Sequence, residues 1–138
     1  SVEDPVMLAG GERCEDAILL VERTGHIIVQ MGDAAPDYSA YGCGSSAPGS
    51  DEVFAIDLAP FEKLAITATF GEETYGAFFV LDQCPVSQTM CSAHLVTAHT
   101  QIKVETRSST ALRVFIVVDE WAESRGAMHL QWVVTSGD

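Results

Sequence analysis

The chain predicts an all-β fold, a sandwich or jelly roll of eight or nine short strands. Three observations carry this expectation. Apolar residues alternate with a period of two along most of the chain, turn-forming residues separate the alternating segments, and no segment shows a convincing long helix. At 138 residues the chain fits one domain with a real core. Residues 1–13 are expected to form an N-terminal arm or edge strand, and residues 14–138 a single sandwich domain.

Taken in order, Val2, Val6 and Leu8 fall in the arm, where Val6 and Leu8 have strand spacing and no obvious hairpin partner. Such an arm either adds to the edge of its own sheet or completes the sheet of another subunit. Residues 12–22 favour strand over a short helix, because β-branched Ile27, Ile28 and Val29 follow at once. Residues 17–21 and 26–31 flank Arg23-Thr24-Gly25 as a candidate hairpin, with Gly25 expected to supply the positive φ of a tight reversal. Residues 33–51 have no periodicity and read as a long loop pinned by Cys43.

Beyond the loop, Phe54, Ile56 and Leu58 share one face of a strand, as do Leu64, Ile66, Ala68 and Phe70 after Pro60, and the two segments are expected to pair as a hairpin. In residues 77–81 both alternating sets are apolar, as in a central strand covered on each side. Ile102 and Val104 mark a short strand, residues 113–118 another, and Met128, Leu130, Trp132 and Val134 line one face of the last.

Lys and Arg number 7 against 20 Asp and Glu, a formal net charge of -13, which repels phosphate backbones and argues against a nucleic-acid partner. The acids are scattered, as on a solvated surface. The longest apolar run, residues 111–118, is interrupted by Arg113 and falls far short of the roughly 20 residues of a membrane helix, so no membrane insertion is expected. Asparagine is absent, which removes N-linked glycosylation sites. The chain opens at Ser1 without a signal-peptide pattern, as expected of an exported chain already processed.

Cys14, Cys43, Cys84 and Cys91 lie between the strands without the short spacing of a zinc knuckle, so two disulfides and a secreted or cell-surface location are expected. Four cysteines permit three connectivities.

Three segments, in order, resemble the bacterial pre-peptidase C-terminal domain in its cysteine-containing secreted variants. They are Gly49-Ser50-Asp51-Glu52-Val53-Phe54-Ala55-Ile56-Asp57-Leu58, then Ala77-Phe78-Phe79-Val80-Leu81-Asp82 with Cys84 and Cys91, and Val114-Phe115-Ile116-Val117-Val118-Asp119 with Gly126 and the strand after it. The resemblance spans about residues 14–134. It implies a β-sandwich of jelly-roll type, disulfides Cys14 to Cys43 and Cys84 to Cys91, a closing hairpin from residue 114 onward, and a non-catalytic role in secretion, calcium binding or attachment to insoluble substrates. The chain departs from the family at Tyr75-Gly76 and Ser92-Ala93-His94, where oxygen ligands are missing. Calcium, which takes six to eight oxygens, is therefore disfavoured and no other cofactor is implied.

No catalytic motif is present. His26, His94, His99 and His129 form no recognisable cluster in the sequence, and Gly42-Cys43-Gly44-Ser45-Ser46 does not meet the nucleophile-elbow pattern. Glu72 and Glu73, or Asp119 and Glu120, would point to opposite faces of a strand. Tyr38, Tyr41, Tyr75 and Trp121 fall in expected loops, as rings that stack on a sugar or anchor a protein contact, or that fold back over the sandwich edge. Two functions follow as expectations. One is a self-associating structural subunit of an extracellular filament, surface layer or matrix. The other is an extracellular binding module for polysaccharide or protein, acting with or without the assistance of calcium.

Overall fold

The computed structural model describes residues 6–8, 10, 14–30, 52–74, 76–82, 91–96, 99–120 and 126–136. Within them the strands are β1 (Val6–Met7), β2 (Ile18–Leu19), β3 (Thr24–Gln30), β4 (Glu52–Leu58), β5 (Lys63–Phe70), β6 (Gly76–Leu81), β7 (Cys91–Val96), β8 (Gln101–Arg107), β9 (Leu112–Glu120) and β10 (Ala127–Thr135). A short 3-10 turn, Cys14–Asp16, precedes β2.

The strands form two sheets. Sheet I runs β1-β3-β10-β5-β8 and sheet II runs β2-β4-β9-β6-β7. The pairs β3 with β10, β4 with β9, β5 with β8 and β6 with β7 are antiparallel and nested, so the second half of the chain retraces the first. β1 and β2 add in parallel to the outer edges of β3 and β4. The expected all-β sandwich is thus what the chain forms, with eight long strands and two short edge additions.

Alternation builds the core. On β5, Leu64, Ile66, Ala68 and Phe70 are buried while the residues between them are half-buried. With Ile27, Val29, Met128, Leu130 and Trp132 they face Phe54, Ile56, Phe78, Val114, Ile116 and Val118 of sheet II. Phe70 and Phe78 meet edge to face across the two sheets, ring centroids 6.0 Å apart. Each fully buried large side chain contributes roughly 1.5–3 kcal/mol.

The outer faces differ. On sheet II the outward residues Val53, Phe79, Leu81 and Val117 are also buried, in a second cluster with Ala17 and Phe115. This matches the expectation that residues 77–81 are covered on both sides. On sheet I the described outward residues are mostly polar or small and half-buried to exposed, with Met7, Ile28 and Val133 the large apolar exceptions.

Three expected hairpins are corrected. β4 and β5 lie in opposite sheets, and so do β2 and β3, and β9 and β10. Alternation marks which residues face the core, but neighbours in one sheet and partners across a sandwich both satisfy it. At residues 59–62 the chain turns across the sandwich instead of back along it. Phe61 takes a φ of 68° there, and its N–H donates to the Ser108 carbonyl of a different turn, 2.7 Å away. Arg23 holds this corner by pairing with Glu62 and donating to the Asp57 carbonyl.

Gly25 is also corrected, since it lies within β3 and its φ is not positive. It stands opposite Trp132, and a Cβ at this position would come within 2.3 Å of the indole. Space, rather than turn geometry, requires the glycine. Among the described residues 14–22 there are the 3-10 turn and a two-residue strand.

Candidate functional site: the outer face of sheet I

The register of sheet I sets its outward residues in rows across the strands. One row reads Met7, Ile28, His129, Thr69, Gln101, and the next reads His26, Gln131, Thr67, Lys103. Below them lie Thr24, Val133, Ala65 and Glu105, then Thr135, Lys63 and Arg107. Adjacent strands are about 4.8 Å apart, so the four-strand row from His26 to Lys103 spans roughly 14 Å. The middle of the face is mostly imidazole, hydroxyl and carboxamide, flanked by Ile28 and Val133, with no Phe, Tyr or Trp among its described residues.

Within this face His26 Nε2 lies 2.9 Å from His129 Nδ1, with ring centroids 5.1 Å apart. One ring donates and the other accepts, so the pair shares a single proton between the two facing nitrogens. Burial holds the His26 imidazole below its ordinary pKa, and a charge on His129 acts in the same direction. Alternate residues on paired strands share one face, and that brings together two histidines 103 positions apart in sequence. The sequence reading, which found no histidine cluster, missed this pair. His99 lies elsewhere, in a turn at φ 65°, and Glu72 and Glu73 occupy a turn rather than a strand.

Neighbouring groups on the face are also defined. Gln101 Nε2 donates to Thr69 Oγ1 at 3.2 Å, and Lys63 pairs with Glu105 at 3.3 Å. Lys103 and Arg107 are exposed and make no ion pair among the described residues. Three of the chain's seven Lys and Arg therefore stand on this face, against one acid, Glu105, among its described residues.

The residues singled out from sequence fall largely elsewhere. Met7 and Leu8 follow Val6 along the edge of β3, and the Leu8 N–H donates to the Ile28 carbonyl at 3.0 Å. Leu8 packs on the core, so this part of the arm joins its own sheet. Gly10 continues it, donating to Glu52 Oε1 at 3.0 Å.

Cys14 begins the 3-10 turn and Cys91 begins β7 opposite Leu81. The disulfides expected there lie outside the described residues, as do Cys43, Cys84, Val2, Tyr38, Tyr41, Tyr75 and Trp121. The described residues that flank the four aromatics in sequence all stand at one end of the sandwich. There Ala127 pairs with Gln30, Gly76 with Glu120, and Glu52 with Val118. Gly126 donates to the Glu73 carbonyl at 3.3 Å, and Gly71 to the Ala127 carbonyl at 3.2 Å.

Among the described residues no group of three or more His, Cys, Asp or Glu is placed to hold a metal ion, and no helix is long and apolar enough to cross a membrane.

No protein-family model matches the chain, and no curated protein matches it. The pre-peptidase resemblance therefore rests on the sequence pattern alone. A solved structure described as "CBM4 structure and function", a carbohydrate-binding module, is similar over 81% of each chain at 14% sequence identity and a TM-score of 0.38. At that score the likeness carries no argument about ligand.

Proposed function

We propose that the chain is a non-catalytic, secreted, jelly-roll domain that binds polysaccharide across the outer face of sheet I. One observation carries the reading: the two outer faces are built oppositely. That of sheet II carries a buried apolar cluster, Val53, Phe79, Leu81 and Val117, with the exposed pair Asp57 and Arg113 beside it, whereas that of sheet I offers ordered rows of Thr, Gln and His to solvent. Protein interfaces take much of their energy from aromatic anchors at the centre. The described residues of this face include no Phe, Tyr or Trp, only the scattered large aliphatic side chains of Met7, Ile28 and Val133. A ligand rich in hydroxyl groups matches its donors and acceptors. The nested strand order supports the jelly-roll assignment.

The test is affinity electrophoresis of the purified chain through gels containing soluble glycans, beside a Thr67→Ala/Gln131→Ala variant. Retardation by a glycan that the variant loses is the expected result. Binding unchanged in the variant would remove this face from the site. Tyr38, Tyr41, Tyr75 and Trp121, which lie outside the described residues, belong to an alternative reading of the same function, and Trp121→Ala separates the two.

Self-association into a filament, layer or matrix is the second reading. In its favour, β2 is an edge strand with Ile18 and Leu19 exposed at 36% and 41%, and Val21 just after it at 68%. A concentration-independent monomer in sedimentation velocity would exclude it. The disulfides Cys14 to Cys43 and Cys84 to Cys91 belong to the secreted assignment, and thiol titration of the unreduced, unfolded chain tests them.

A further inference from the structure

The outer face of sheet I is an island in the chain's charge distribution. The protein carries a net charge of -13, yet this face sets Lys63, Lys103 and Arg107 against the single acid Glu105 among its described residues. Glu105 is already paired with Lys63, which leaves Lys103 and Arg107 uncompensated at the β8 edge. At the opposite side of the same rows, on β3 and β10, stand His26 and His129. Between the two lie the neutral donors and acceptors Gln131, Thr67, Thr69 and Gln101.

From this arrangement we propose that the polysaccharide bound by this face is a carboxylate-bearing one, a uronate polymer. Its hydroxyls lie over the Thr and Gln rows, and its carboxylates are held by Lys103 and Arg107 at one side and by the histidine pair at the other. The inference rests on the glycan-binding reading above and narrows it to a ligand class. Charge complementarity selects an anion. The rows of Thr and Gln, with no Phe, Tyr or Trp anchor among the described residues of the face, favour a hydroxyl-rich polymer over an acidic protein. A nucleic acid is disfavoured because two uncompensated cations offset little of the repulsion between a phosphate backbone and a chain of charge -13.

The histidine pair adds a pH dependence. With one proton between the facing nitrogens, the pair is a closed hydrogen bond. When His26 takes up a proton both of its ring nitrogens become donors and the face gains positive charge. Among the described residues facing the pair the one acid is Glu105, which is paired with Lys63. β1 presents Met7, β3 presents Thr24, Ile28 and Gln30, and β10 presents Ala127, Gln131 and Val133. β5 presents Thr67, Thr69 and Lys63, and β8 presents Gln101, Lys103, Arg107 and the paired Glu105. Burial holds His26 below the ordinary imidazole range, so an anion on the face is held more tightly as pH falls below that range, and less tightly as salt rises.

The experiment measures binding of the full chain to polygalacturonate, to its methyl-esterified and therefore uncharged form, and to polyglutamate, at about pH 5 and pH 7.5. Polygalacturonate is expected to bind best and to gain affinity at the lower pH. Lys103→Gln and Arg107→Gln should each weaken it roughly two- to fivefold, and Glu105→Gln should strengthen it. His26→Gln/His129→Gln should flatten the pH dependence while leaving the salt dependence. All five positions are on the surface face, and unfolding midpoints equal to that of the unmodified chain confirm that the variants fold.

Equal binding to the ester and the acid would overturn the uronate inference and leave glycan binding standing. Equal or tighter binding to polyglutamate would overturn the choice of a glycan partner. No binding to any glycan would overturn both this inference and the reading beneath it.

Discussion

Replacing Gly25 by alanine is the sharpest test of how the two halves of sheet I fit together. The added Cβ would lie 2.3 Å from Trp132 Cζ2, 2.5 Å from Cη2 and 2.9 Å from Cε2. Carbon atoms in contact sit about 3.5–4.0 Å apart, so the indole must move by more than about 1 Å. It has little room, because it is 3% exposed in the core and its Nε1 donates to the Glu22 carbonyl at 2.8 Å. Overpacking of this kind costs about 1–3 kcal/mol, and loss of the Nε1 bond about 1–3 more. Alanine recovers roughly 0.5–1 kcal/mol of the backbone entropy that glycine gives up in a strand. The net expectation is a loss of about 2–4 kcal/mol, read as a lower midpoint in urea followed by far-UV circular dichroism. In a Trp132→Leu background, which removes the ring from the contact, Gly25→Ala should cost less than about 1 kcal/mol, a strong coupling in the double-mutant cycle. A Gly25→Ala chain within about 0.5 kcal/mol of the original would refute the steric reasoning.

Two further outcomes concern charge and the two outer faces. Asp57 is held below its ordinary pKa chiefly by its hydrogen bonds from Arg113, at 2.6 and 2.9 Å. Because its folded pKa is depressed, the pair's contribution is present above the unfolded value of 3.8 and is lost as pH falls through the lower folded value. Both side chains are about half exposed, so Asp57→Asn should cost less than about 1 kcal/mol at neutral pH, with the difference vanishing in strong acid; a cost unchanged at low pH would contradict this. Placing lysine on each outer face separates them: Val117→Lys should cost more than about 3 kcal/mol and Gln131→Lys less than about 0.5, and equal costs would show that the faces do not differ as described.

The strands were legible in the sequence because each buries one side. Leu64, Ile66, Ala68 and Phe70 on β5, and Met128, Leu130 and Trp132 on β10, are buried where alternation places them. Even the two-sided burial of β6 was visible, in its unbroken apolar run. Sheet membership was not. Pro60 reads as the turn of a hairpin, yet Phe61 at positive φ and its bond to Ser108 carry the chain into the other sheet.

The site follows the same division. Thr67, Thr69, His129 and Gln131 stand out in sequence only as the polar halves of two alternating strands, which any solvent-facing strand would show. No local pattern could join His26 to His129 or set Lys103 in their row, since these contacts depend on register between strands distant along the chain.

By itself the sequence determined an all-β chain, the inward face of each strand and the overall acidity, because periodicity and charge are local or additive properties. Only the tertiary structure decided which strands are neighbours, that Gly25 makes room for an indole, and that a cationic, hydroxyl-lined face lies on an acidic protein. Those features come from pairing between distant segments. One alternating pattern is compatible with several pairings, and packing of both sheets around a single core selects among them.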